Sequence, residues 1–105
     1  MAWDAARGVT VLFGGVTGPG GELADTWEWN GTTWVSRTPP VGQPNPCPRD
    51  YHAMAYDSVR RRTVLFGGWG NSGQTPYNDT WEWDGTNWSL RSGTSCGAST
   101  SGPSA

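Results

Sequence analysis

The chain has no lysine, one histidine, two cysteines and only four leucines, and each scarcity closes off a class of function. Seven arginines stand against nine carboxylates for a formal charge of −2, which leaves no electrostatic footprint for nucleic acid. The one basic run, Arg60-Arg61-Arg62, falls where the repeat described below demands a tight turn. It reads as a solvated turn rather than a patch for phosphate or an acidic partner. Two cysteines and a lone histidine fall short of a zinc set, so no metal and no cofactor is expected. Cys47 lies 13 residues after Trp34 and Cys96 lies 8 after Trp88. They can pair in an oxidising compartment, but spacing does not establish it. No stretch approaches the roughly 18 to 20 apolar residues that span a bilayer. No basic segment followed by an apolar run marks a signal peptide, so no membrane partner is expected and the compartment is left open.

What the chain has instead is tryptophan, glycine and repetition. Eight tryptophans, 16 glycines and 8 prolines with few helix formers point to an all-β chain full of turns. Residues 1–15, MAWDAARGVTVLFGG, return at 54–68 as MAYDSVRRRTVLFGG with 10 of 15 positions identical. Residues 25–34, DTWEWNGTTW, return at 79–88 as DTWEWDGTNW with 8 of 10 identical. The two pairs are offset by 53 and 54 residues, so one residue has been gained between them. A period of about 50 residues marks stacked supersecondary units, none of which covers its own apolar faces. Met1 aligns with the internal Met54, so the chain opens inside a repeat and is expected to be a piece of a longer protein. From Gly93 onward, GTSCGASTSGPSA is small, polar and aperiodic, as in a flexible tail or linker.

The second copy predicts four short antiparallel strands. Residues 51–57, YHAMAYD, alternate small and large, as in a strand near a crowded axis. After a turn at 58–61, the TVLF core of RTVLFGG is continuous enough in apolar residues to suit a strand covered on both faces. Gly67-Gly68 ends it, where glycine permits positive φ or a close backbone approach. DTWEWDG places Trp81 and Trp83 on one face with Thr80 and Glu82 on the other. Asp84-Gly85, like Asn30-Gly31 before it, reads as a two-residue hairpin leading into a strand with Trp88.

Four-stranded units of this period, set side by side, make a β-propeller. A hydrophobic strand ending in Gly-Gly, then a loop, then Asp-Thr-Trp-x-Trp and a further Trp, resembles the kelch repeat over residues 1–35 and 49–91. Gly14, Gly15, Gly67 and Gly68 match the family's double glycine. Trp27 and Trp81 open the Trp-x-Trp pair, Trp29 and Trp83 stand at the family's usual tyrosine position, and Trp34 and Trp88 at its distal tryptophan. The aromatic spacing of five is shorter than usual in the family, which alters a turn rather than the fold. The resemblance implies a partial propeller of two kelch-like blades. The first spans 1–38 with its innermost strand truncated, the second 39–92, and the tail 93–105. Two blades leave apolar faces bare, which soluble monomers rarely tolerate. Further blades are therefore expected, either from the same longer chain or from homo-oligomerisation, where three chains make six blades and four make eight.

Strand parity gathers the loops at 16–24, 36–50 and 69–78 on one rim, carrying Arg37, Arg49, Trp69, Asn71, Gln74 and Tyr77 as candidate binding residues. Trp69 beside Tyr77 would anchor a peptide or a sugar ring. His52 has no evident catalytic partner and reads as structural. Glu28 and Glu82 recur in register, one residue from each tryptophan. That points to pairing within each blade or with a neighbour rather than to a glycosidase pair. Some kelch-like propellers resemble the domain of copper radical oxidases, but those need a tyrosine–cysteine cross-link with further histidine and tyrosine ligands, a set that a chain with one histidine cannot supply. The Asn-x-Ser/Thr patterns at Asn30, Asn78 and Asn87 lie inside strands and hairpins and read as accidental. The expectation is a non-catalytic scaffold binding a protein or carbohydrate on the loop rim. The alternatives are part of a propeller enzyme whose catalytic residues lie in other blades, and a purely structural pair that self-assembles.

Overall fold

In the computed structural model of the chain, residues 1–15, 23–40, 42–70 and 75–93 are described. The strands of the two four-stranded sheets fall where the repeat and the alternation placed them, whereas a short two-stranded ribbon lies in the 69–78 segment that reads as a loop. β1 (Ala2–Asp4), β2 (Val9–Phe13), β3 (Thr26–Trp29) and β4 (Trp34–Ser36) form one sheet in that order, every neighbour antiparallel. β5 (Ala53–Asp57) and β6 (Arg62–Phe66) open the second sheet. A two-stranded ribbon of β7 (Trp69–Gly70) and β8 (Thr75–Pro76) follows. β9 (Thr80–Trp83) and β10 (Trp88–Ser92) then complete the second sheet in the order β10-β9-β6-β5. No helix occurs among the described residues.

Both sheets use the same turn chemistry. Asp4 Oδ1 accepts the backbone N–H groups of Ala6 and Arg7, and its Oδ2 accepts Arg7 Nε at 2.8 Å. Asp57 does the same for Val59 and Arg60, with Arg60 Nε at 3.0 Å. The last turn residue needs a left-handed backbone. Gly8 supplies it at φ +69 in the first sheet, whereas Arg61 is forced there at φ +59 in the second. The second hairpins differ from the expected two-residue loops. Their last paired residues are Trp29 with Trp34 and Trp83 with Trp88, so four residues intervene. Asn30 Oδ1 accepts from the amides of Thr32 and Thr33, and Asp84 Oδ1 from those of Thr86 and Asn87. These side chains cap a longer loop instead of sitting at its tip.

The sheets stack with unlike faces together. Val11, Phe13, Thr26 and Glu28 of the first sheet are buried, as are Thr63, Leu65, Trp81, Trp83 and Trp88 of the second. The Phe13 and Trp88 rings meet edge-on, with centroids 5.4 Å apart. Val9, Ala24 and Met54 pack against this core. Each TVLF strand is therefore covered on one face only, against the two-sided cover its apolar run suggests. Phe13 is 0% exposed, and its repeat counterpart Phe66 is 54%.

The double glycines mark the seam between the sheets. At Gly14 (φ +67) a Cβ would lie 2.7 Å from the Arg49 carbonyl oxygen, and at Gly68 (φ +102) 2.8 Å from that of Asp50. Both requirements foreseen for these glycines, positive φ and close approach, hold at these two positions. The close approach lets residues 49–50 bond to both halves. Gly15 N donates to Arg49 O and Arg49 N to Leu23 O, while Asp50 and Trp69 exchange both backbone hydrogen bonds.

Candidate functional site

Consecutive antiparallel strands send the turns at 5–8, 30–33, 58–61 and 84–87 to one end and the longer connections to the other. The upper rim thus carries Trp69, held by its exchange with Asp50 at 2.8 and 2.9 Å and 42% exposed. Tyr51, next to Asp50, is 87% exposed and has a left-handed backbone at φ +57. Non-glycine residues rarely adopt that conformation, and strain of this kind collects at binding sites. Tyr51 was not singled out from sequence, because nothing in its local pattern signals a positive φ.

Arg49 lies beneath the rim rather than on it. Its side chain and that of Asp79 are both fully buried. Arg49 Nη1 and Nη2 donate to the two Asp79 oxygens at 2.6 and 2.8 Å, Nη1 also to Gly67 O, and Nε to Cys47 O. Its guanidinium lies 4.4 Å from the centre of the Tyr77 ring, so Tyr77 is a stacking partner of the buried arginine. Burial pushes the Asp79 carboxyl up, but hydrogen bonds from Arg49 and Trp81 and the arginine's charge outweigh it and hold it below the ordinary range. Arg37 is half exposed and donates through Nε to Glu28 at 3.2 Å. Asn71 and Gln74 lie outside the described residues. Cys47 is in disulfide form; Cys96, the other cysteine of the chain, also lies outside them. His52 packs edge-on against Phe13 with centroids 5.9 Å apart, and its burial pushes its pKa down.

Glu28 is the polar centre between the sheets. It accepts from Arg7 Nη1 and Nη2 at 3.2 and 2.6 Å, from Arg37 Nε, and from Trp83 Nε1 of the other sheet at 3.0 Å. Trp88 Nε1 donates to Thr26 Oγ1 at 2.9 Å. Glu82 repeats the arginine part of this arrangement, accepting from Arg60 Nη1 and Nη2 and from Arg91 Nε. The Arg60 hydrogen bonds dominate over burial and lower the Glu82 pKa. Burial raises that of Glu28, and the Arg7 and Trp83 bonds more than reverse it. Carboxylates held ionised in this way do not serve as general acids at neutral pH. The register of Trp-Glu-Trp in both copies was the visible signal for this network, but the indole that crosses between sheets could not be read from it.

At the lower end, Asp4, Ala6, Arg7, Tyr56, Arg61, Arg62 and Asp84 line a cleft of about 310 Å³. Its arginines and aspartates largely offset one another. Arg60, in the turn alongside, is tied to Asp57 and Glu82 rather than simply solvated. Among the described residues no group of three or more His, Cys, Asp or Glu side chains is placed to hold a metal ion. The chain matches no model of a known protein family, and no curated protein matches it.

Proposed function

We propose that the chain forms two kelch-like propeller blades serving as a non-catalytic scaffold, with a protein or carbohydrate bound on the rim of longer loops. The observation that carries this reading is Trp69. A large aromatic side chain is exposed on a ribbon that paired backbone hydrogen bonds fasten to the sheets. A pre-positioned indole binds the apolar face of a pyranose or an apolar peptide side chain at little ordering cost. The strained, exposed Tyr51 adds a second aromatic to the same rim. The kelch assignment rests on the double glycines and the Trp-x-Trp motif within four-stranded units.

The test is titration with neutral hexasaccharides of glucose and xylose and with a display library of unstructured peptides, for wild type, Trp69→Ala and Tyr51→Ala. Binding that Trp69→Ala weakens at least tenfold, with folding unchanged, supports the rim. Absence of binding by every probe, or binding indifferent to both substitutions, rules it out.

A further inference from the structure

The two open faces of the molecule carry the two halves of the joint that holds its sheets together. On the outer face of the first sheet, Met1, Thr10, Trp29 and Trp34 line an apolar cleft of about 210 Å³. By the repeat, these four are the counterparts of Met54, Thr63, Trp83 and Trp88, the surface that the first sheet covers inside the chain. Trp34 is 41% exposed where Trp88 is 1%. On the outer face of the second sheet, Phe66, Thr80 and Glu82 are the counterparts of Phe13, Thr26 and Glu28. Phe13 packs on the Trp88 ring, Thr26 accepts Trp88 Nε1 and Glu28 accepts Trp83 Nε1. Glu82 already holds its two arginines as Glu28 does, and no indole reaches it among the described residues. A carboxylate has room for that further donor.

We propose that a second copy of this chain docks head to tail, seating its Phe66, Thr80 and Glu82 on Trp29 and Trp34 of the first. Trp34 Nε1 then donates to Thr80 Oγ1 of the second copy and Trp29 Nε1 to Glu82 Oε2, while the Phe66 ring packs on Trp34. The occupant is a second copy because this chain carries both complementary faces, each already matched to the other by the internal joint. The contact is heterologous, so each added copy again exposes one face of each kind until a ring closes. This proposal does not depend on ligand binding at the rim.

The test is light scattering on a sizing column with the full chain, Trp34→Arg, Phe66→Arg and an equimolar mixture of the two variants. Both substituted residues are exposed within one chain, and circular dichroism checks that each variant keeps its fold. Should either arginine variant unfold, serine at the same position replaces it. Wild type is expected as a discrete assembly, each variant alone as a monomer, and the mixture as a one-to-one dimer of twice the 11.3 kDa chain mass. The dimer forms because the Trp34 variant keeps its Phe66 face and the Phe66 variant keeps its Trp34 face. A wild type that stays monomeric up to millimolar concentration overturns the proposal. So does an assembly that survives either substitution, or a mixture that fails to dimerise.

Discussion

Replacing Arg49 with methionine removes one partner of a fully buried ion pair while roughly keeping the volume of the side chain. Asp79 then keeps the indole N–H of Trp81, at 2.8 Å, but loses both guanidinium bonds and the positive charge of Arg49. The carbonyls of Gly67 and Cys47 lose a donor as well. Breaking a buried pair on one side costs about 3–5 kcal/mol, a large share of the roughly 5–15 kcal/mol that stabilises a domain. At about 4–8 °C per kcal/mol for a chain of this size, the melting temperature should fall by at least about 12 °C. The pH dependence separates this cause from lost packing. In wild type the Asp79 pKa is depressed, so its stabilisation is present above the ordinary aspartate range and is lost as pH falls through the folded value. Without the arginine's two bonds and its charge, less opposes the burial that favours the neutral form of Asp79, although the Trp81 bond remains. The gap between wild type and variant should therefore narrow on acidification from pH 7 to about pH 4. Urea unfolding followed by tryptophan emission at both pH values measures it. Adding Asp79→Asn to Arg49→Met should restore stability at pH 7 rather than subtract more. A cost below about 1 kcal/mol, a gap indifferent to pH, or strictly additive single substitutions would falsify the buried-pair account.

Trp83→Ala empties a site 1% exposed between the sheets and should cost about 3–5 kcal/mol in urea unfolding; an equally stable variant contradicts its place in the core. Trp83→Phe keeps most of the ring but removes the bond to Glu28, for which a loss of about 1.5–3 kcal/mol is expected. Arg61→Gly should stabilise by about 0.5–1 kcal/mol, because relief of the left-handed strain exceeds glycine's backbone entropy; a lowered melting temperature would count against the turn geometry. Gly14→Ala should destabilise more than Gly15→Ala. Both have positive φ, but only at Gly14 does a Cβ meet backbone, at 2.7 Å from Arg49 O, and equal melting temperatures would show that the seam can open.

How much of this could be read from sequence depended on whether a residue's environment is set locally. Strand positions were legible because alternation acts within a few residues and the repeat prints each pattern twice. The role of Asp4 and Asp57 as turn caps is equally local, though it became visible only with the hydrogen bonds. Arg49 shows the opposite case. It sits in an aperiodic, proline-rich connection, which suggests a rim, yet Asp79, 30 residues on, draws it inside. Asn30 and Asp84 show how one residue type serves two turns. Asn-Gly occurs both at hairpin tips and at the start of longer loops, and only the pairing of Trp29 with Trp34 decides between them. The bare outer faces follow from the number of repeats: two units leave one tryptophan-bearing and one TVLF-type face uncovered, and Trp34 and Phe66 are accordingly exposed. TVLF has the composition of a strand covered on both sides, but composition does not say where the second neighbour comes from.

Residues 49–50 bond to loops of both sheets, and this has a consequence for how the molecule comes apart. Neither sheet can peel away without first breaking the Arg49 carbonyl's bond to Gly15 or the two-way exchange between Asp50 and Trp69. Melting should therefore be a single cooperative event spanning both repeats, rather than two independent transitions of similar halves. The amides of Gly15, Asp50 and Trp69 would then exchange with solvent at the rate of global opening, although they sit in connections where loop amides usually exchange fast.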